Sequence, residues 1–217
     1  MEDNRSVFPC AFLDITFDDP KSNLDFDEFL LTQIHLRRIL RIWESKKYFI
    51  VMGRSSSEDD LNLSYVKKDK IVVVRRKSGG GTVVQGPGCL NYTFVSDVFP
   101  EATTVKKAFE WVLSRLIAVI NEVLGLEVVM RGTSDLCLGD RKFSGNAQRR
   151  KGSRFYVHGT LLYNFDLPLM DRFLALPQKR PSYRGERTNR DFLVNLSELK
   201  WKKKDFIGRM KHEYLNW

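Results

Sequence analysis

The sequence predicts an α/β (α+β) fold in which a mixed β-sheet is flanked by helices. Three observations carry that expectation. Short β-branched apolar runs alternate with segments of helical periodicity along the chain. Residues 104–124 form one long apolar stripe at helical spacing with a glycine directly after it. At 217 residues, with no linker or composition shift, the chain lies below the roughly 250–300 residues at which single cores stop growing.

Taken in order, residues 11–16 (AFLDIT) alternate as a strand does, and the following DDPKSN supplies turn and helix-start residues. Over residues 24–43, Leu24, Phe29, Leu30, Ile34, Leu40 and Trp43 recur at helical spacing and predict one helix. Residues 48–52 and 71–74 are short, β-branched and apolar, so both read as strands. Residues 82–85 and 90–96 form two more, joined by Gly86-Pro87-Gly88. The helix over 104–124 aligns Val105, Ala108, Phe109, Val112, Leu116, Ile120, Val123 and Leu124, and Gly125 stops it. Residues 127–131, 143–148 and 155–163 return to strand character. From Pro168 onward helix and loop dominate, and residues 177–190 are too rich in proline, glycine and arginine to be regular.

Composition narrows the classes. Apolar residues make up 42% and aromatics 12%, which excludes a disordered chain. The longest charge-free run, residues 78–96, holds five glycines and a proline, so no membrane span is expected. The opening MEDNRSVF lacks the basic-then-apolar order of a secretion signal. Three cysteines without CxxC spacing argue against a disulfide framework or a zinc site, and a cytoplasmic location is expected. Residues 141–190 carry twelve Lys/Arg against three acids, which equals the whole chain's net charge of +9 and favours an anionic partner.

Three segments could hold chemistry. Arg75-Arg76-Lys77-Ser78-Gly79-Gly80-Gly81-Thr82 follows an apolar strand; its glycines let backbone N–H groups converge on an anion, although the same pattern also makes a tight hairpin. It is neither a Walker loop nor a GxGxxG fingerprint. In the second segment Gly139-Asp140 reads as a hairpin turn, which puts Lys142 just inside the returning strand. Small residues at Ser144, Gly145 and Ala147 leave room beside that lysine, so it is either an anion holder or an ordinary surface residue. In the third, VHGTLLY, His158 is either a ligand-orienting group or a satisfied core histidine. No histidine pair has ligand spacing, so no metal site built from side chains is expected.

Together RRKSGGGTVVQGPGCLNYTF, SDLCLGDRKFSGNAQRR and HGTLLYNFDL resemble, in order and spacing, the lipoate–protein ligase A family within the biotin/lipoyl ligase and octanoyltransferase superfamily. Asp19-Pro20 with Asn23, Leu24 and Glu28, Met52-Gly53-Arg54-Ser55, and Asn195-Leu196-Ser197-Glu198-Leu199 are similar to further family segments, so the resemblance covers nearly the whole chain. It implies a largely antiparallel sheet and one ligase-type catalytic domain over residues 1–217; the C-terminal accessory domain that many family members carry is not expected here. It also implies that lipoate is activated with ATP and Mg²⁺ as lipoyl-AMP, then transferred to a lysine of a lipoyl domain. By matching motifs, Lys142 is the essential lysine, a cation that stabilises charge on the acyl carbonyl and α-phosphate. Arg76, Gly81, Thr82, Val83, Val84, Asn91, Asp135 and Lys142 would meet the nucleotide. Ser78, Gly79, Gly80, Gly145, Ala147 and His158, again with Lys142, would meet lipoate. The implied partners are acidic lipoyl domains of 2-oxoacid dehydrogenase E2 subunits or the glycine cleavage H protein, together with a separate accessory subunit.

The pattern departs from the family in two respects, the accessory domain that many members carry and one stretch of the first motif. Where ligases carry an aromatic-His-Asp sequence, this chain has Val84-Gln85-Gly86-Pro87. Two alternatives stay open: a lipoyl or octanoyl transferase acting from a pre-activated or carrier-bound acyl group, with Cys137 and Cys89 as the candidate acyl-cysteines, and a non-catalytic relative that binds lipoate or a partner. Nucleic acid is the partner the three motifs argue against.

Overall fold

The computed structural model describes residues 10–34, 36–175, 180–199 and 201–214. The opening MEDNRSVF and residues 177–179 of the irregular segment lie outside the described residues. In chain order the strands are β1 (Cys10–Asp14), β2 (Arg38–Trp43), β3 (Phe49–Met52), β4 (Val72–Arg75), β5 (Val83–Gln85), β6 (Cys89–Asp97), β7 (Val128–Arg131), β8 (Asp135–Leu138), β9 (Arg141–Lys151) and β10 (Arg154–Leu162). The helices are α1 (Pro20–Thr32), α2 (Leu63–Lys68), α3 (Val105–Leu124), α4 (Pro168–Phe173), α5 (Asn189–Phe192) and α6 (Lys203–Tyr214).

The strands build two sheets rather than the one anticipated. Seven form the order β1-β2-β6-β10-β9-β8-β7, in which only β1 and β2 run parallel. A second sheet, β4-β3-β5, pairs β3 parallel with β4 and antiparallel with β5. The fold is therefore mixed and largely antiparallel.

Local chemistry explains the start of α1 and both ends of α3. Asp19 caps α1 by accepting from the Ser22 N–H at 2.8 Å, and Pro20 sits in the first turn, where its missing N–H costs nothing. Thr104 caps α3 in the same way, and Gly125 ends it at φ +64°. One expectation fails: the helix read over residues 24–43 stops at Thr32, and its second half is β2. Ile39 packs toward α1 with Val95 and Tyr156, whereas Leu40 and Ile42 point into the main core on the opposite face. A strand buried on both faces shows no polar alternation, so its apolar spacing can pass for helical.

The two faces of the large sheet have different roles. α3 and α6 cover one, where Val112, Leu116, Phe206 and Met210 join Phe94, Phe155 and Val157 in the main core. On the other, α1 covers one part, and the small sheet packs Phe49 and Val51 with Trp43. The candidate site opens between these two covers.

Candidate active site

Neighbouring strands place two rows of residues across this face, of which all but Arg41, covered by α1, line a cleft. Trp43, Asn91, Thr160 and Gly145 form one row on β2, β6, β10 and β9, and Arg41, Thr93, His158 and Ala147 form the next. From Trp43 to Gly145 is three inter-strand steps, about 14 Å. A cleft of about 280 Å³ runs along these rows, with Leu24, Trp43, Val83 and Gln85 among its lining residues and Asp135, Lys142 and Pro181 also on its walls.

The glycine loop forms part of the roof, and Arg76 holds it. This arginine is buried; its Nη2 donates to the carbonyls of Gly79 at 2.6 Å and Gly81 at 2.8 Å, and its Nε donates to Ser78 Oγ at 3.0 Å. Desolvation lowers its pKa to about 10, so it remains a cation. The loop is also laced to the turn after β3, where the Arg54 N–H donates to the Ser78 carbonyl at 2.9 Å. Gly80 has φ +85°, and a Cβ on Gly53 would lie 1.9 Å from the Gly80 carbonyl oxygen. Both positions therefore require glycine, one for its backbone angle and one for close approach.

Lys142 is held at backbone and side chain. Its main chain faces Cys137 of β8 on one side, and on the other its carbonyl accepts from the Val194 N–H at 3.0 Å. Its Nζ lies 2.8 Å from Asp135 Oδ1, with the lysine side chain 25% exposed and the aspartate 18%. The ammonium rests over Gly145, where a Cβ would come within 3.0 Å of it. A half-shielded cation beside a cleft under a loop of backbone amides is suited to developing negative charge.

His158 belongs to a buried network. Its Nε2 is 2.7 Å from Ser78 Oγ, and its Nδ1 is 3.8 Å from Asp27 Oδ2. Asp27 also accepts from Thr93 Oγ1 at 2.8 Å and pairs with the fully buried Arg41 at 2.7 Å. Arg41 spends its other donors on Asn23 and the Ile15 carbonyl. Desolvation pulls the His158 pKa below its ordinary 6.5, opposed by Asp27. The network joins α1, three strands and the glycine loop beneath the cleft.

The structure brings most of the sequence-derived candidates together. Arg76, Gly80, Gly81, Val83, Asn91, Asp135, Lys142, Gly145, Ala147 and His158 all line the cleft. Ser78 lies behind it, fully buried against Arg76 and His158. Val84 turns into the core with Ile50 and Met52, and Thr82 donates to Asp60 at 2.7 Å, so neither side chain faces the cleft. Cys89 and Cys137 are fully buried; burial pushes the Cys89 thiol up to about 12 and raises that of Cys137. Sequence reasoning passed over Asp27, Trp43, Gln85 and Tyr183. Trp43 Nε1 and Gln85 Oε1 are buried without a hydrogen-bond partner beside the cleft, and Gln85 occupies the very stretch that departs from the family pattern.

The basic half of the sequence is not one basic face. Arg149 pairs with Glu28, Arg154 with Asp97, Arg172 with Asp69, Arg187 with Asp140 and Lys142 with Asp135, all acids from outside residues 141–190. Arg150 instead donates to the carbonyls of Ala102, Thr103 and Thr104. Folding thus spreads the charge that the sequence concentrates. No group of three or more His, Cys, Asp or Glu that could hold a metal occurs among the described residues, and none of their helices is long and apolar enough to cross a membrane.

Comparison with known proteins gives a consistent result. The chain is 29% identical over 183 residues to the lipoate-protein ligase LplJ of Bacillus subtilis, a match covering 83% of this chain and 54% of that protein. The chain thus spans about half the length of the curated relatives it matches. Among solved structures, a bi-partite lipoate protein ligase from Thermoplasma acidophilum, described with its E2 lipoyl domain, superposes with a TM-score of 0.82 at 19% identity, over 95% of this chain and 82% of that one. A lipoate-protein ligase A bound with ATP gives a TM-score of 0.79 at 20% identity, over 94% and 83%. At such identities the two structures establish the shared fold. The family model described as "Lipoyl protein ligase A/B catalytic domain" matches residues 19–214, nearly the whole chain, and the protein belongs to that family.

Proposed function

We propose that this protein is a lipoate–protein ligase: it joins lipoate to ATP as lipoyl-AMP, releasing pyrophosphate, and transfers the lipoyl group to a lysine amine of a lipoyl domain, releasing AMP. The observation that carries the reading is the Lys142 ammonium, held by Asp135 over Gly145 on the wall of a cleft roofed by the glycine loop. In the first step a carboxylate oxygen attacks the α-phosphorus. In the second the acceptor amine attacks the acyl carbonyl, and the bond to AMP breaks. Negative charge grows on oxygens in both steps, and a fixed cation already oriented toward them lowers both barriers. The backbone of Gly80 and Gly81 would meet the anionic part of the adenylate, and the apolar wall of Leu24, Trp43 and Val83 would meet the acyl chain; Gly79, whose carbonyl is held by Arg76, does not line the cleft.

Magnesium fits this reading as an ion that arrives on the nucleotide phosphates, because Asp135 already has Lys142 on one carboxylate oxygen and the Tyr183 hydroxyl on the other. Acidic lipoyl domains of E2 subunits or of the glycine cleavage H protein are the proposed acceptors, and the cytoplasm is the proposed location. The burial and raised pKa of Cys89 and Cys137 weigh against a thioester route, which needs an accessible thiolate.

A second reading draws on the bi-partite ligase from Thermoplasma, whose chain this one covers over 82%. By that likeness the protein transfers lipoate from lipoyl-AMP alone but needs an accessory subunit for activation. Incubation with lipoate, ATP, Mg²⁺ and an apo lipoyl domain, followed by mass spectrometry of that domain, tests the first reading. Product from synthetic lipoyl-AMP but not from ATP would establish the second. No product from either source would sink both.

A further inference from the structure

Asp135, the carboxylate that holds Lys142, is gripped on its other oxygen by a residue outside every motif. The Tyr183 hydroxyl donates to Asp135 Oδ2 at 2.7 Å, while Lys142 Nζ sits 2.8 Å from Oδ1. Tyr183 lies in a single 3₁₀ turn, Ser182–Arg184, far along the chain from the β7–β9 hairpins on which it rests.

The seat for this turn is built from several sides. Gly132 has φ +57°, and a Cβ there would touch Tyr183 Cε1 at 3.5 Å and Pro181 Cβ at 3.9 Å. The Tyr183 ring packs on Phe192 with centroids 5.4 Å apart. Arg187 donates to the Tyr183 carbonyl at 2.6 Å and to Asp140 Oδ2 at 2.8 Å, tying the turn to the hairpin that presents Lys142. Burial and the adjacent carboxylate both raise the phenol pKa, so the hydroxyl is always available as a donor.

We propose that Tyr183 is a positioning residue for acyl transfer: by occupying one oxygen of Asp135 it fixes that carboxylate, which in turn holds the Lys142 ammonium over Gly145. The chemistry follows from donor counts. An ammonium has three N–H donors and Asp135 needs only one, so a carboxylate that cannot rotate leaves the others aimed into the cleft. A carboxylate freed on one side could swing and draw the ammonium off the reacting oxygens. Displacements on the order of 1 Å cost up to about 100-fold in rate.

The inference rests on the ligase reading of Lys142, and its test separates the two. Single-turnover transfer from synthetic lipoyl-AMP to an apo lipoyl domain is measured for the wild type, Lys142→Ala, Tyr183→Phe, Asp135→Asn and the Tyr183→Phe/Asp135→Asn double variant. Full activity in Lys142→Ala would overturn the ligase reading itself. With Lys142→Ala inactive, Tyr183→Phe is expected to lower the maximal rate about tenfold with little change in half-saturating lipoyl-AMP. Its effect should vanish in the Asp135→Asn background, because the two residues act in series. An unchanged rate in Tyr183→Phe, a rise in half-saturation instead, or an equal loss in both backgrounds would overturn the positioning role. Should Tyr183→Phe melt well below the wild type, Arg187→Gln loosens the same turn from outside the cleft. It should lower the maximal rate about threefold, and an unchanged rate there would equally count against the proposal.

Discussion

Gly145 and Lys142 are fitted to each other: a Cβ at position 145 would stand 3.0 Å from the lysine Nζ and 3.1 Å from its Cε. The ammonium can lie against β9 beside Asp135 only because residue 145 has no side chain. Gly145→Ala is therefore expected to move the ammonium without unfolding the sheet and to slow lipoyl transfer about tenfold. Transfer kinetics beside a thermal melt would check it; normal kinetics in a folded variant would show that the lysine has slack.

If the cation carries the chemistry, removing it should abolish what removing a thiol leaves intact. Lys142→Ala should lower transfer by about 100-fold or more. Lys142→Arg should rescue little, since a planar guanidinium cannot occupy the space over Gly145 in the same way. Cys89→Ala and Cys137→Ala should cost about 1 kcal/mol of stability through lost packing and keep their activity within about twofold. A large rate loss in either cysteine variant would bring back the thioester route.

The approach of Gly53 to Gly80 locks the roof of the cleft. With the Gly80 carbonyl 1.9 Å from any Cβ on residue 53, Gly53→Ala must push backbone against backbone. We expect a loss of about 3 kcal/mol in stability and of nearly all activity, read by denaturant unfolding and by the transfer assay.

His158 makes stability depend on pH in a stated direction. Burial lowers its folded pKa below 6.5, so just under that value the unfolded chain binds a proton that the folded chain resists. Its contribution to stability is thus complete above about pH 6.5 and is lost as pH falls toward the folded value. Melting temperatures should hold steady from pH 7.5 to 6.5 and drop below that. His158→Gln should melt lower throughout but with a shallower drop, and an unaltered slope would assign the pH dependence elsewhere.

Several elements are legible along the chain because their signals are local. The α3 stripe with Gly125, the short β-branched runs and the hairpin turn at Gly139-Asp140 each depend on residues a few positions apart. The strand Arg38–Trp43 was not legible, because burial on both faces removes the alternation that marks a strand. The segment charge misled for a related reason: Arg149, Arg154 and Arg172 find their acids at Glu28, Asp97 and Asp69, more than fifty residues away. Tyr183 carried no signal at all, since its role arises from where the tail lands on the β7–β8 turn.

From the sequence alone came the family resemblance, the alternation of strands and helices, the glycine loop, and Lys142 with small residues beside it. These follow from residue types whose backbone freedom, size or charge acts over a few positions. Only the tertiary structure decided that Arg76 clamps the loop, that Val84 faces the core, that both candidate cysteines are sealed from solvent, and that Tyr183 closes on Asp135. The Arg76 clamp spans only two to five residues and depends on the folded path of the loop; the others arise from packing between segments distant in the chain rather than from any local preference.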